Sequence, residues 1–427
     1  MFGSEGSNLE FSCQLRKLAR LNYDPKRNRV GIVGADTKAS WAQVSHVPAI
    51  RDLPGMRLAA VATRSERSAR DTAEAFGADR WYSDPFAMIR DDRIDIVTIA
   101  VMVPAHCELV LMALAAGKTV YCEAPLGRSV AETEEMARAV RSHHTAIGLQ
   151  GRHNPAVRRA AELVSSGRIG RPLSARIVSP TLGFGPEIPV AHDIFNRPCS
   201  GANLLTITGG HTLDLAETVL GPIVEVDART EIRWPLVKLR DAGVESVRAT
   251  ADYVGVVGKT HSGAAFTAEI DAGVPLENIR FSFEVRGSDG WLSLTSRHPY
   301  GFQAGDLKLT SNVLFVETDA AAVSRGTMET AINVGEVYTQ LARDWHEGTY
   351  RTPGFQHALH NARLIEAVRR AAERGERQNT TSHALEQRRR AATPSCINEQ
   401  VSKESSDERS NEPPELRSPS SPAQAGQ

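Results

Sequence analysis

The chain is poor in cysteine, and the five it has (Cys13, Cys107, Cys122, Cys199 and Cys396) are scattered and odd in number. None stands in a Cys-x-x-Cys pair. Neither a zinc centre nor a disulfide framework is therefore expected, and the thiols suit a reducing compartment. No run of about 18 apolar residues occurs, so no membrane span is expected. Fifty basic residues against 51 acidic ones leave a net charge of -1, which gives no general attraction for nucleic acid or an anionic membrane. Residues 1–28 contain no apolar stretch of the secretory kind. These absences point to a cytoplasmic protein of ordinary composition, and its 427 residues allow two domains or three.

From Arg29 to Gln150 the pattern is strand, loop, helix, repeated. RVGIVG, MRLAAVATR, IDIVTIAVMV, KTVYCE and TAIGLQ read as five strands, apolar enough to be buried on both faces as parallel strands are. PAHCELVLMALAAG and SVAETEEMARAVRSHH read as helices between them; the second opens with a capping box at Ser129 and Glu132. Such alternation predicts a doubly wound parallel sheet over 29–150. After the helix NPAVRRAAELVSSGRIG the character changes to alternating strands with Gly/Asp turns, which predicts an open, mainly antiparallel sheet in a second α/β domain over 151–376. A late amphipathic helix over 354–376 packs back. From 377 to 427 the sequence is polar and aperiodic and is expected to be disordered.

A parallel sheet whose first strand ends in glycines suggests a nucleotide site. Gly31 and Gly34 are in place, but Asp36 and Ala39 stand where a full fingerprint has glycines. The bland alternative is a tight strand-to-helix turn. Asp36 disfavours phosphate unless its side chain turns away. The second strand ends in Thr63 and Arg64, where an acidic residue would hold the ribose of NAD. A hydroxyl and a guanidinium suit a 2′-phosphate, so NADP is favoured slightly over NAD.

GIVG, ALAAGKTVYCEAPLG, GRHNP, GRIG and GGHTLD, in this order over roughly residues 29–375, resemble the glucose–fructose oxidoreductase / inositol dehydrogenase (Gfo/Idh/MocA) family. The segments around Trp41, LQGRHNPAVRRAAELVSSGRIG and TITGGHTLDL resemble the branch that includes the yeast galactose-pathway repressor. The resemblance implies a Rossmann domain joined to an open-sheet domain, hydride transfer on a hydroxyl or carbonyl of a sugar-like or polyhydroxylated small molecule, and a homodimer or tetramer formed through the C-terminal sheet. It implies cofactor contacts at Ala35, Trp41, Ala100, His106, Glu123, Ala124 and Pro125, beside Gly31, Gly34, Thr63 and Arg64. Arg152 is implied as a substrate contact or an interdomain tie.

Hydride transfer from an alcohol needs a base for the hydroxyl proton and stabilisation of the developing alkoxide. The family's lysine is here Ala124, and the aspartate four residues before the family histidine is here Ile207. His211 remains as acid/base, with Asp214 one helical turn away to orient it. The alternative is a non-catalytic dinucleotide-binding regulator with a protein partner, for which a nuclear location is also consistent. No metal ligand set is seen; His357 and His360 read as a packed or solvated helix face.

Overall fold

The structure is a computed structural model, and residues 28–38, 40–305, 307–316 and 328–380 are described. The extension over 1–27 and the tail beyond 380 lie outside the described residues.

Six parallel strands form the first sheet: β1 (Arg29–Val33), β2 (Arg57–Ala62), β3 (Arg80–Tyr82), β4 (Ile96–Ile99), β5 (Thr119–Cys122) and β6 (Thr145–Ile147), in the order β3-β2-β1-β4-β5-β6. Five were expected. The sixth, β3, is a three-residue edge strand whose exposed Arg80 and Trp81 give no buried-strand signal. Helix starts follow local chemistry. Ser65 caps α3 (Glu66–Phe76), and Asp84 with Pro85 opens α4 (Pro85–Arg90). Ser129 Oγ accepts from Glu132 N at the start of α6 (Val130–Ala139), while the Glu132 carboxylate reaches back to Arg128 N at 2.8 Å, one residue earlier than a standard capping box. The helix between β4 and β5 is α5 (His106–Ala115).

The first crossover helix is split into α1 (Trp41–Val44) and α2 (His46–Asp52). One face of the sheet is covered by α5 and α6. The other carries α2 and a helix the sequence reading passed over, α9 (Glu329–Glu347). Its Ala331, Val334, Val337, Tyr338 and Leu341 pack on Ile32, Ala49 and Tyr121. Its apolar positions are diluted by charge, and its partner surface lies more than 200 residues earlier, so only the folded chain brings the two together.

The second sheet has eight strands: β7 (Pro172–Pro180), β9 (Ile223–Glu231), β12 (Tyr253–Thr260), β13 (Ala265–Asp271), β14 (Phe281–Gly287), β15 (Trp291–Ser296), β16 (Lys308–Ser311) and β17 (Gln378–Asn379). All pairings are antiparallel except β7 with β13. Alternation puts Val254, Val256, Phe266 and Phe283 in the core under α7 (Pro155–Ser165), α8 (Gly210–Leu220) and α10 (Phe355–Arg374). Arg176, Glu284, Thr267 and Val257 face outward. A small sheet of β8 (Glu187–Ile188), β10 (Leu236–Leu239) and β11 (Val244–Val247) adjoins. The ordered chain passes the expected boundary at 377: β17 pairs with β9, and buried Thr380 donates to Ile223 O. Among the described residues no helix is long and apolar enough to cross a membrane, and no cluster suited to a metal ion occurs.

Candidate functional site

The strand order reverses direction between β1 and β4, and ligands of such sheets bind beyond the carboxyl ends of the strands at that point. There the backbone knits the candidate residues together. Gly34 N donates to Ala62 O, Ala100 N to Val33 O, Glu123 N to Ile99 O and Gly148 N to Cys122 O.

Gly34 has φ +94°, and a Cβ there would stand 2.5 Å from Ala100 O. The turn therefore requires glycine. Gly31 has a different role from the expected cofactor contact: it sits inside β1, where a Cβ would press on Met88 and Ile94 at 3.1 Å. Asp36 does turn away. Its Oδ1 accepts from Lys38 N, and its own N and O both bond Ser40 Oγ. Ala35 is buried and Ala100 half-buried. Thr63 Oγ1 donates to Ser65 O at 3.3 Å, and Arg64 is exposed. A glycine that lets two strand ends meet, an acidic side chain folded out of the way, and an exposed arginine past β2 fit a dinucleotide. With α1 only four residues long, the N–H donors come from the loop more than from a long helix dipole.

Two expected cofactor residues are built into walls. Trp41 packs into the core with its Nε1 buried and without a partner among the described residues. His106 is buried, with Nε2 3.0 Å from Val101 O and Nδ1 3.2 Å from both Pro125 O and Leu126 O, so it fastens the loop after β4 to the loop after β5. Burial pushes its pKa down.

Glu123 and Ala124, which ends in the cis bond to Pro125, close β5. Glu123 Oε1 lies 2.9 Å from His46 Nε2; His46 Nδ1 lies 2.9 Å from the Tyr338 hydroxyl, which lies 2.7 Å from Thr98 Oγ1. Neither His46 nor Tyr338 was singled out from the sequence.

His211 enters from the other sheet's helices. A π-turn over Leu205–Gly209, which contains Ile207, leads directly into α8; such turns recur at functional sites. The ring is buried, meets Phe302 edge-on at 6.5 Å, and makes no hydrogen bond among the described residues. Burial lowers its pKa, which Glu123 and Asp214 oppose, so the neutral imidazole dominates near neutral pH.

The expected pairing of Asp214 with His211 does not form. Asp214 Oδ1 instead takes Arg152 Nη1 at 2.8 Å and His357 Nε2 at 2.6 Å. Arg152 thereby ties the turn Gln150–His153 to α8. Burial raises the Asp214 pKa, but Arg152 and His357 outweigh it and the net shift is downward. One turn along, His360 Nε2 sits 2.6 Å from Glu217 Oε2. The signal was present in the sequence: His357 and His360 on α10 have the same three-residue spacing as Asp214 and Glu217 on α8, the spacing that puts two residues on one helix face.

The comparisons with known proteins agree with this fold. The family model for the Gfo/Idh/MocA oxidoreductase family, NAD-binding Rossmann fold, matches residues 28–150, and that of the Gal80p C-terminal domain matches residues 155–296. Inositol 2-dehydrogenase 2 of Saccharopolyspora erythraea is 31% identical over 279 residues, covering 63% of this chain and 71% of the relative. Dehydrogenase aclE of Aspergillus oryzae is 32% identical over 222 residues, 49% of this chain and 59% of the relative. The galactose/lactose metabolism regulatory protein GAL80 of Kluyveromyces lactis is 27% identical over 67% of this chain and 66% of the relative. Two of these three matches thus span less than two thirds of the relative's length. Among solved structures, a super-repressor mutant of Gal80p from Saccharomyces cerevisiae superposes with a TM-score of 0.73 at 23% identity, covering 84% of this chain and 99% of that one. Levoglucosan dehydrogenase with NADH and L-sorbose does so at 0.72 and 22%, covering 83% and 98%. The chain is an NAD(H)-binding Rossmann protein with a second, open-sheet domain. It belongs to the Gfo/Idh/MocA oxidoreductase family, and residues 155–296 match the model of the Gal80p C-terminal domain.

Proposed function

We propose that the protein is an NAD(P)(H)-dependent oxidoreductase that interconverts a hydroxyl and a carbonyl on a sugar-like or polyhydroxylated small molecule. The observation that carries this reading is the buried His211 imidazole at the start of α8, left without a hydrogen-bond partner among the described residues, in a chain whose first sheet reverses strand order at Gly34. A bound nicotinamide supplies the hydride acceptor or donor. Gly34 and Ala35 hold its pyrophosphate side, with Ala100, Glu123, Ala124 and Pro125 toward the ring. Thr63 and Arg64 face the ribose, and their chemistry favours a 2′-phosphate. His211 takes the hydroxyl proton at a ring nitrogen and returns it in the reverse direction. Ala124 offers no cation to the developing alkoxide, so the rate is expected to be modest. The outer face of the eight-stranded sheet is the proposed subunit contact.

A regulator without turnover is the second reading. It is favoured by one specific observation: Ala124 and Ile207 place carbon where the resemblance implies a lysine and an aspartate. Titration with NADH and NADPH, followed by tryptophan-to-nicotinamide energy transfer, decides between them when a sugar and cyclitol panel is added in the same cuvette. Binding with substrate-dependent change of the reduced ring's absorbance is expected. Binding with no turnover across the panel moves the reading to the regulator.

A further inference from the structure

The residues that follow β1, β4 and β5 offer few side-chain groups to hold a ligand. Ala35, Ala100, Ala124 and Pro125 bring no donor or acceptor, and the Asp36 carboxylate is taken by Lys38 N. Glu123 is the exception. Its N donates to Ile99 O beside Ala100, whose N donates to Val33 O beside Gly34. Its two carboxylate oxygens are treated differently. Oε1 lies 2.9 Å from His46 Nε2. Oε2 has no donor among the described residues, although the side chain is only 15% exposed. Gly148 borders Oε2 so closely that a Cβ there would stand 2.7 Å away. Such an oxygen suits a ligand N–H or O–H.

Behind Oε1 the arrangement is rigid. Strand alternation puts Tyr121 and Glu123 on one face of the sheet, and Thr98 of β4 stands opposite Tyr121 in register. Helix α2 brings His46 and helix α9 brings Tyr338 onto that face. The His46 ring meets Tyr121 and Tyr338 edge-on, at centroid distances of 5.0 Å and 5.7 Å. Its Nδ1 lies 2.9 Å from the Tyr338 hydroxyl, which lies 2.7 Å from Thr98 Oγ1. His46, Tyr338 and Thr98 are all fully buried. A carboxylate only accepts, so Nε2 presents N–H to Glu123. Nδ1 of a neutral imidazole then accepts from Tyr338, which takes its own donor from Thr98. Burial raises the Tyr338 pKa and keeps the phenol able to donate.

We propose that His46 and Tyr338 are positioning residues for the dinucleotide: they fix Glu123 so that its free Oε2 accepts from a hydroxyl or amide N–H on the nicotinamide half of NAD(H). The proposal rests on the cofactor placement proposed above and not on turnover. A carboxylate suits that half, which carries ribose hydroxyls and a carboxamide, and it repels the pyrophosphate. The sheet keeps the two apart. Gly34 follows β1 and Glu123 follows β5, with β4 between them, a separation of about 10 Å at two strand spacings. With Ala124 next in the chain, no ammonium at that position competes with His46 for the carboxylate.

The test is an NADH titration of the full chain by tryptophan-to-nicotinamide energy transfer, in wild type, E123Q, H46N, H46Q and Y338F. Each change at His46 and Tyr338 is also made in the E123Q background. Asparagine at position 46 can replace Nδ1 toward Tyr338 but not Nε2 toward Glu123, whereas glutamine keeps an N–H where Nε2 was. E123Q is expected to bind about tenfold more weakly. H46N and Y338F are expected to bind severalfold more weakly, and H46Q close to wild type. In the E123Q background the same changes add nothing, because they act through the carboxylate. A merely structural role gives equal losses in both backgrounds, and that result overturns the proposal. So does wild-type affinity in E123Q or in H46N. Y338F removes a single oxygen and decides the matter if H46N does not fold. Turnover of the sugar and cyclitol panel is read in parallel. Wild type that binds NADH without turnover, with the non-additivity present, removes the oxidoreductase reading and keeps the positioning role. Turnover with additive losses does the reverse, and no NADH binding by wild type removes both.

Discussion

Two part-buried histidine–carboxylate pairs, one beside each sheet, differ in what stands behind them. His46 and Glu123 meet at 2.9 Å, His357 and Asp214 at 2.6 Å. The difference is the third partner. Asp214 also holds Arg152, so its charge is neutralised inside the protein and the triad works as a rivet joining α8, α10 and the turn at Gln150–His153. Glu123 is backed by hydroxyl groups, Tyr338 and Thr98 behind His46, with no guanidinium among its hydrogen-bond partners in the described residues. The same pair of residue types serves as structure or as site chemistry according to whether a permanent cation stands next to it.

Breaking the rivet should cost most. Asp214→Ala leaves Arg152 and His357 facing each other without the anion, and a loss of about 3 kcal/mol is expected, read by urea unfolding. Next comes pH. His153, His211 and His357 all have folded pKa values lowered by burial. Such groups give their full stability above their unfolded value near ~6.5 and lose it as pH falls through the folded value. Thermal stability is therefore expected to drop steadily from about pH 6.5 downward, with the His153 contribution ending at about 3. His153→Asn should flatten that slope in scanning calorimetry, and an unchanged slope would contradict the assignment. Tyr338→Phe removes the hydroxyl between His46 and Thr98, with an expected loss of about 1 kcal/mol and a looser Glu123. Combined with Asp214→Asn it should be additive, because the two pairs share no partner. The smallest effect is at the rim: Arg64→Ala is expected to weaken NADPH severalfold in the fluorescence titration with little change for NADH.

The legible parts of the molecule are those whose signal is local. Ser129, Asn154 and Pro155 announce helix starts, the apolar IVTI run announces a buried parallel strand, and the alternation in YVGVVGKT announces a half-buried one. Gly34 is legible as a turn, and His211 through the resemblance. The short strands β3, β8 and β17 and the small sheet were missed because two to four residues carry too little periodicity to read. The packing role of Gly31 is not legible, because a glycine that admits a ligand and one that admits a methionine side chain look the same in sequence. Asp214 was misassigned because spacing along a helix says which residues share a face, not which neighbour arrives from another element.

By itself the sequence determined the two sheets, their parallel and antiparallel characters, and the family. Each of these follows from periodicity, capping or motif within some twenty residues. Only the tertiary structure decided the pairings. It brought α9 back across 292 residues to place Tyr338 behind His46, and laid α10 on α8 so that His357 captured Asp214. The physical reason is that the charge state and orientation of a buried group depend on what surrounds it in three dimensions. Those surroundings here come from segments whose sequence separation carries no pattern.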